Sequence, residues 1–389
     1  LLLVVDNSRS MADKQQWLGV AIPDLVNELT NPWCVDLRGE RVEQPLDGPL
    51  APCPEDTSRE IEPLLDIHVG VISTSLGDHG GDVCPEDDPN NDNDDRAHLL
   101  DRSPEGTEPT YEGLGFLAWD PAQQLEPPGE HDAVALIDAL TRIVLGAGEL
   151  GCGFEATLES WYRFLIDPAP PEQVVVQDGV AVPHGVDQVL LAQRAAFLRP
   201  DSLVVILMLT DENDCSVIDG GQYFYAARAS VGATSYHLPP GRTRCLEDPL
   251  DACCVSCGQA PPPGCPTDPD PRCEQPLDAS SDPLPLRCFD QKRRFGIDFL
   301  YPIDRYVDGL TEPRISDREG NDVTNPLYPL VSEEDPGRGS TRDTRMVLVA
   351  ASVGVPWQDI ARRNASGQPD LAAGLDASGV PKGGFQSHD

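Results

Sequence analysis

Asp6, Ser8 and Ser10 stand at alternate positions in Val5-Asp6-Asn7-Ser8-Arg9-Ser10-Met11, directly after the apolar run Leu1 to Val5. On a loop leaving a buried strand, a carboxylate and two hydroxyls so spaced can turn three hard oxygens toward one point. Hard oxygens suit Mg²⁺, Mn²⁺ or Ca²⁺. A second acidic loop, Thr210-Asp211-Glu212-Asn213-Asp214, follows another apolar run. In an open α/β sheet, loops at the carboxyl ends of neighbouring parallel strands converge on one crevice. Each residue also has a plainer role: Ser10 with Asp13 fits a helix N-cap, Asp6 could cap a turn, and Asp211 could be one loop acid among many. Their joint placement after two apolar runs favours the cation site over these roles.

Other polar groups carry less. The run Glu86 to Asp95 holds enough carboxylate and amide oxygen for Ca²⁺ but lacks the glycine and spaced glutamate of an EF-hand loop, so a solvated acidic loop is the better reading. His79, in Gly77-Asp78-His79-Gly80-Gly81, reads as a turn more readily than as an ion ligand. The chain has neither His-Glu-x-x-His, Gly-x-Ser-x-Gly nor a Gly-rich phosphate loop with Lys, which weighs against the rival reading of a metal-dependent hydrolase built on the same aspartates.

Buried strands and helices must position these loops. Leu1 to Val5, Ile67 to Thr74, Leu203 to Leu209 and Met346 to Val353 are apolar with little or no polar alternation, the pattern of parallel strands covered on both faces. Apolar residues recur at helical spacing over Met11 to Leu29, with Pro23 a candidate kink, over Val134 to Val144, over Glu155 to Ile166 and over Val186 to Leu198. Strands alternating with helices predict a doubly wound α/β fold with a mainly parallel sheet, Rossmann-like in outline. The intervening stretches at about 31–62, 77–112, 168–184 and 215–290 are rich in Pro, Gly, Asp and Cys and read as long, disulfide-rich insertions into a single domain over 1–363. Residues 364–389 read as a flexible polar tail.

The chain carries 28 Lys and Arg against 66 Asp and Glu, a formal charge of -38. That charge excludes a nucleic-acid backbone as partner and draws cations. Among the twelve cysteines, Cys245, Cys253, Cys254, Cys257, Cys265, Cys273 and Cys288 crowd together. Cys254 and Cys257 have zinc-ligand spacing, but the matching second pair and clustered histidines are missing, so disulfides and an oxidising compartment are expected. An acidic insertion of this kind is expected to lack a core of its own. No apolar run is long enough to span a membrane. The chain opens in a strand without an initiator Met or a cleavage site, so sequence upstream, with any export signal, is expected.

The Asp-x-Ser-x-Ser loop paired with the later strand-end aspartate resembles the metal-ion-dependent adhesion site (MIDAS) of von Willebrand factor A (vWA) domains. The resemblance extends over most of 1–363 once the insertions are set aside. It implies that Asp6, Ser8 and Ser10 hold a divalent cation, Mg²⁺ or else Mn²⁺ or Ca²⁺, and that Asp211 binds it through water. A threonine from the loop opening a middle helix normally completes the set. Here that place falls near Cys152 or Gly153, leaving Glu155 and Thr157 as candidate substitutes, and Arg9 replaces the small residue usual between the serines. Gly151-Cys152-Gly153-Phe154-Glu155 with Thr210 to Ser216 is similar to a bacterial exported, cysteine-rich subgroup of these domains, which implies a Cys152–Cys215 bridge beside the cation. The implied function is adhesion: a protein partner's acidic side chain completes the cation's shell, outside the cell, on its surface or in the periplasm, without catalysis. The alternative is a structural surface protein that binds through its Cys-rich insertion.

Overall fold

In this computed structural model, residues 1–45, 48–84, 94–330, 341–354 and 362 are described. The four apolar runs form β1 (Leu2–Val5), β2 (Ile67–Ser73), β4 (Val204–Thr210) and β5 (Val347–Val353). A further strand, β3 (Phe116–Trp119), completes one five-stranded sheet in the order β5–β4–β1–β2–β3. The first four run parallel and β3 lies antiparallel to β2. Its four residues are too few to show a period in the sequence.

The helical patterns become α1 (Ala12–Thr30), α2 (Ala133–Gly146), α3 (Thr157–Leu165) and α4 (Gln188–Phe197). Asp132 and Asp187 start α2 and α4 by accepting from the backbone N–H groups of Val134 and Leu190. A fifth helix, α5 (Ile303–Thr311), follows the Cys-rich insertion. Side chains along β1 alternate between two cores. Leu2 and Val4 pack with Trp161 and Phe164 of α3, Leu190 of α4 and Tyr306 of α5, whereas Leu3 and Val5 pack with Ile22 and Val26 of α1 and Leu140 and Val144 of α2. Helices therefore cover both faces of a mostly parallel sheet, a mixed α/β architecture. Covering on both faces holds for β1 and β2, which are buried throughout, and fails among the described residues for β5, an edge strand largely exposed beyond Val347.

The insertions are more ordered than open loops. Residues 31–62 contain a small sheet of Cys34–Val35, Arg41–Glu43 and Ser58–Arg59, pinned by Cys34–Cys53. Residues 168–184 include a hairpin of Gln173–Gln177 with Val180–His184. The Cys-rich insertion is held by Cys245–Cys254, Cys253–Cys265 and Cys257–Cys273. It shares an apolar cluster with the chain outside it, where Val217 and Leu238 of the insertion gather with Phe154, Phe295 and Phe299; these residues are too scattered along the chain to show a periodic face. Beside that cluster Arg287 and Asp282 form a fully buried ion pair, and Arg287 also donates to the carbonyls of Ala226, Arg228 and Tyr236. All twelve cysteines are paired, as six disulfides. The implied Cys152–Cys215 bridge is not among them, because Cys152 pairs with Cys84 and Cys215 with Cys288. Six disulfides fit an oxidising, extracellular compartment. Among the described residues no helix is long and apolar enough to cross a membrane.

Candidate metal centre

Strand register sets the site. Val5 of β1 lies beside Leu209 of β4 and Ser73 of β2, so the next residues, Asp6, Thr210 and Thr74, leave the sheet side by side. The Asp6 backbone N–H donates to the Leu209 carbonyl at 2.9 Å, and that of Thr74 to the Val5 carbonyl at 3.2 Å. This is the convergence expected of the two sequence loops. Two glycines permit it: a Cβ on Gly354 would stand 2.7 Å from the Asp211 carbonyl oxygen, and one on Gly151 2.3 Å from Asn7 Oδ1. The Gly151 N–H instead donates to the Asn7 carbonyl at 2.7 Å. Gln15, reaching back from α1, donates to the carbonyls of Asp6 and Gly148.

Asp6 is fully buried. Its Oδ1 accepts from the Ser8 N–H at 2.8 Å and its Oδ2 from the Thr210 hydroxyl at 2.6 Å. The turn-capping role is thus real, and each oxygen keeps a further lone pair. Ser8 Oγ lies 3.0 Å from Ser10 Oγ, and Ser10 Oγ donates to Asp211 Oδ1 at 2.9 Å. Ser10 caps no helix: neither the short turn at Arg9–Met11 nor α1 has a side-chain cap, and the Ser10 hydroxyl is spent on Asp211. Asp6, Ser8, Ser10 and Asp211 therefore form one chain of oxygens from a buried floor to an accessible rim. At the rim the Lys14 ammonium stands 3.2 Å from Asp211 Oδ2 and 2.8 Å from the Ser10 carbonyl.

Of the two candidate substitutes for the missing threonine, Glu155 faces the site. It lines a cleft with Asp211 and Glu212, and the Thr74 hydroxyl donates to its Oε2, while Oε1 is buried without a hydrogen-bond partner. Burial raises the Glu155 carboxyl well above the usual carboxylate range, and the charges of Asp6, Glu212 and Asp211 add to the rise. Burial likewise raises Asp6 and Glu212. A divalent cation would relieve this repulsion, since it stabilises the ionised forms and supplies the acceptor a partner. Thr157 is buried at the start of α3 with its hydroxyl also unpartnered, so the charges of Asp6, Asp211 and Glu212 acting on Glu155 are what favour the glutamate. Among the described residues no three Asp, Glu, His or Cys side chains are close enough to hold a metal by themselves, so serine hydroxyls and water would have to complete a shell.

Sequence reasoning missed Asp214. Its buried carboxylate accepts from the Leu158 N–H and the Ser216 hydroxyl, so this acid of the second loop is engaged at the first turn of α3. Its signal, Asp-x-Ser over Asp214 and Ser216, is common in turns. Of the acidic run, Asp94 and Asp95 are ion-paired with Arg96 and Arg102, and the rest lies outside the described residues. His79 takes the turn conformation, with φ 52°, and its Nδ1 lies 2.8 Å from Asp219 Oδ1.

No family model, curated protein or solved structure matches the chain, so the functional reading rests on these loops and on the resemblance of their motif.

Proposed function

We propose that the chain is a vWA-like, extracellular recognition module whose strand-end loops hold one divalent cation, with Mg²⁺ the first choice and Mn²⁺ or Ca²⁺ alternatives. Asp6 anchors it from the floor, Ser8 and Ser10 ligate through hydroxyl oxygen, Asp211 acts through bound water, and Glu155 takes the threonine's place. The observation that carries the reading is the unpartnered, buried Glu155 Oε1 beside Asp6, Asp211 and Glu212. A carboxylate oxygen left so is costly unless a proton or a cation meets it, and a cation is the partner that also relieves the neighbouring acids. Mg²⁺ demands six oxygens in near-octahedral array. With part of that shell supplied by water, a carboxylate from a protein partner can displace one water and join the two surfaces. Binding is the whole activity in this reading.

Isothermal titration with Mg²⁺, Mn²⁺ and Ca²⁺ tests it. One site should appear in the unaltered protein and vanish in Asp6→Ala, with circular dichroism unchanged. Identical titrations for the two proteins would overturn the reading.

A further inference from the structure

The cation loops do not stand alone at their end of the sheet. A cleft of about 540 Å³ has Glu155, Asp211 and Glu212 on one side and Pro285, Leu286 and Phe289 of the Cys-rich insertion on the other. The Cys215–Cys288 disulfide joins the two sides, tying the residue before Phe289 to the end of the second acidic loop. Leu286 and Phe289 are each 54% exposed, although Arg287 and Cys288 between them are held fast. Arg287, between them in sequence, is buried against Asp282 and three backbone carbonyls, and Arg294 donates to the carbonyls of Leu286 and Phe289. With Arg287 pointing inward and Cys288 tied down, the two apolar side chains are left facing outward beside the acidic side of the cleft. A rigid apolar wall next to a charged anchor point takes a ligand at low ordering cost. Clefts of this volume are in the range that holds a small ligand.

We infer that the wall selects the partner: the bound segment is an extended peptide with one Asp or Glu and, within two residues of it, a large apolar side chain that lies against Leu286 and Phe289. This rests on the cation reading above. Charge narrows the ligand further, because a protein of net charge -38 repels a segment bearing several acids, so the coordinating carboxylate is a single one in an otherwise apolar or basic segment. The insertion is then part of the cation site and not a separate surface.

The test uses the full chain with Mg²⁺ and fluorescent glycine-rich hexapeptides that carry one Glu, with Leu, Phe or Ser placed one or two residues away, and matching peptides with Gln for Glu. Peptides with Leu or Phe should bind about tenfold tighter than those with Ser, the gain from removing roughly 55 Å² of apolar surface from water. The Gln peptides should not bind. The double variant Leu286→Ser, Phe289→Ser should erase the preference while keeping the cation titration and the dependence on Glu; both positions are exposed, so folding should survive. If Glu peptides bind with no apolar preference, or if no peptide binds although the cation does, the wall is not a selectivity element and the cation reading stands. If the cation itself fails to bind, both fall.

Discussion

Glutamate in place of a threonine changes the charge of a cation shell as well as its shape. In the proposed shell Glu155 would add its carboxylate to those of Asp6 and Asp211, strengthening the hold on an ion but weakening its pull on an incoming carboxylate. Lys14, at the Asp211 rim, returns one positive charge at the mouth. If Glu155 is a ligand, Glu155→Gln should weaken Mg²⁺ binding by tenfold or more, whereas Thr157→Val should leave it unchanged; calorimetry on the two variants decides between the candidate substitutes, and the reverse order would hand the role to Thr157. That Asp6, Ser8, Ser10 and Asp211 meet was legible because their signal is local: Asp6, Ser8 and Ser10 lie within five positions, and Asp211 follows a strand of obvious apolar character. The role of Asp214 was not, since its partner, the Leu158 N–H, comes from a helix 56 residues earlier. Cysteine pairing was opaque for the same reason, as Cys84–Cys152 and Cys215–Cys288 close loops of 68 and 73 residues that spacing cannot choose between.

At the scale of elements, β1, β2, β4 and β5 follow from apolar runs and four helices from apolar periodicity, while β3 and α5 escape both. The helix α3 links the site to the insertion. Its first turn donates to Asp214, its Glu159 is paired with Arg305 of α5 at 2.9 Å, and its Arg163 is paired with Asp219. Asp219 also receives His79, so one buried carboxylate ties α3, the 77–84 turn and the chain beyond β4 together. Burial alone would raise the Asp219 carboxyl, but the Arg163 guanidinium and then His79 outweigh it and hold it at about 2. A carboxyl depressed by folding contributes stability that is complete above its unfolded value of about 3.9 and is lost as pH falls toward the folded one. Asp219→Asn should therefore cost about 3–5 kcal/mol at neutral pH, because it leaves Arg163 buried and unpaired. Urea unfolding should show that the gap between the two proteins narrows as pH drops from about 4 toward about 2; a gap independent of pH would contradict the assignment.

At the scale of the whole molecule, the sheet supplies a fixed floor, the disulfides supply fixed loops, and a charge of -38 surrounds both. The outline of a mostly parallel sheet was readable from apolar runs alternating with helical patterns, and Pro, Gly, Asp and Cys concentrate where those patterns stop. What the insertions do was not readable, because the apolar cluster of Phe154, Val217, Phe295 and Phe299 and the wall of Leu286 and Phe289 exist only once distant segments meet. A charge that would draw a cation would also slow the proposed acidic partner, so the account stands or falls on whether the ion sits at the strand ends and nowhere else. Anomalous diffraction from crystals soaked in Mn²⁺ measures this directly. The account predicts one strong peak at coordination distance, about 2.2 Å, from Ser8 Oγ and Ser10 Oγ, between Asp6, Asp211 and Glu155. Strand ends empty of anomalous signal, with manganese bound instead on the acidic surface or in the Cys-rich insertion, would contradict it.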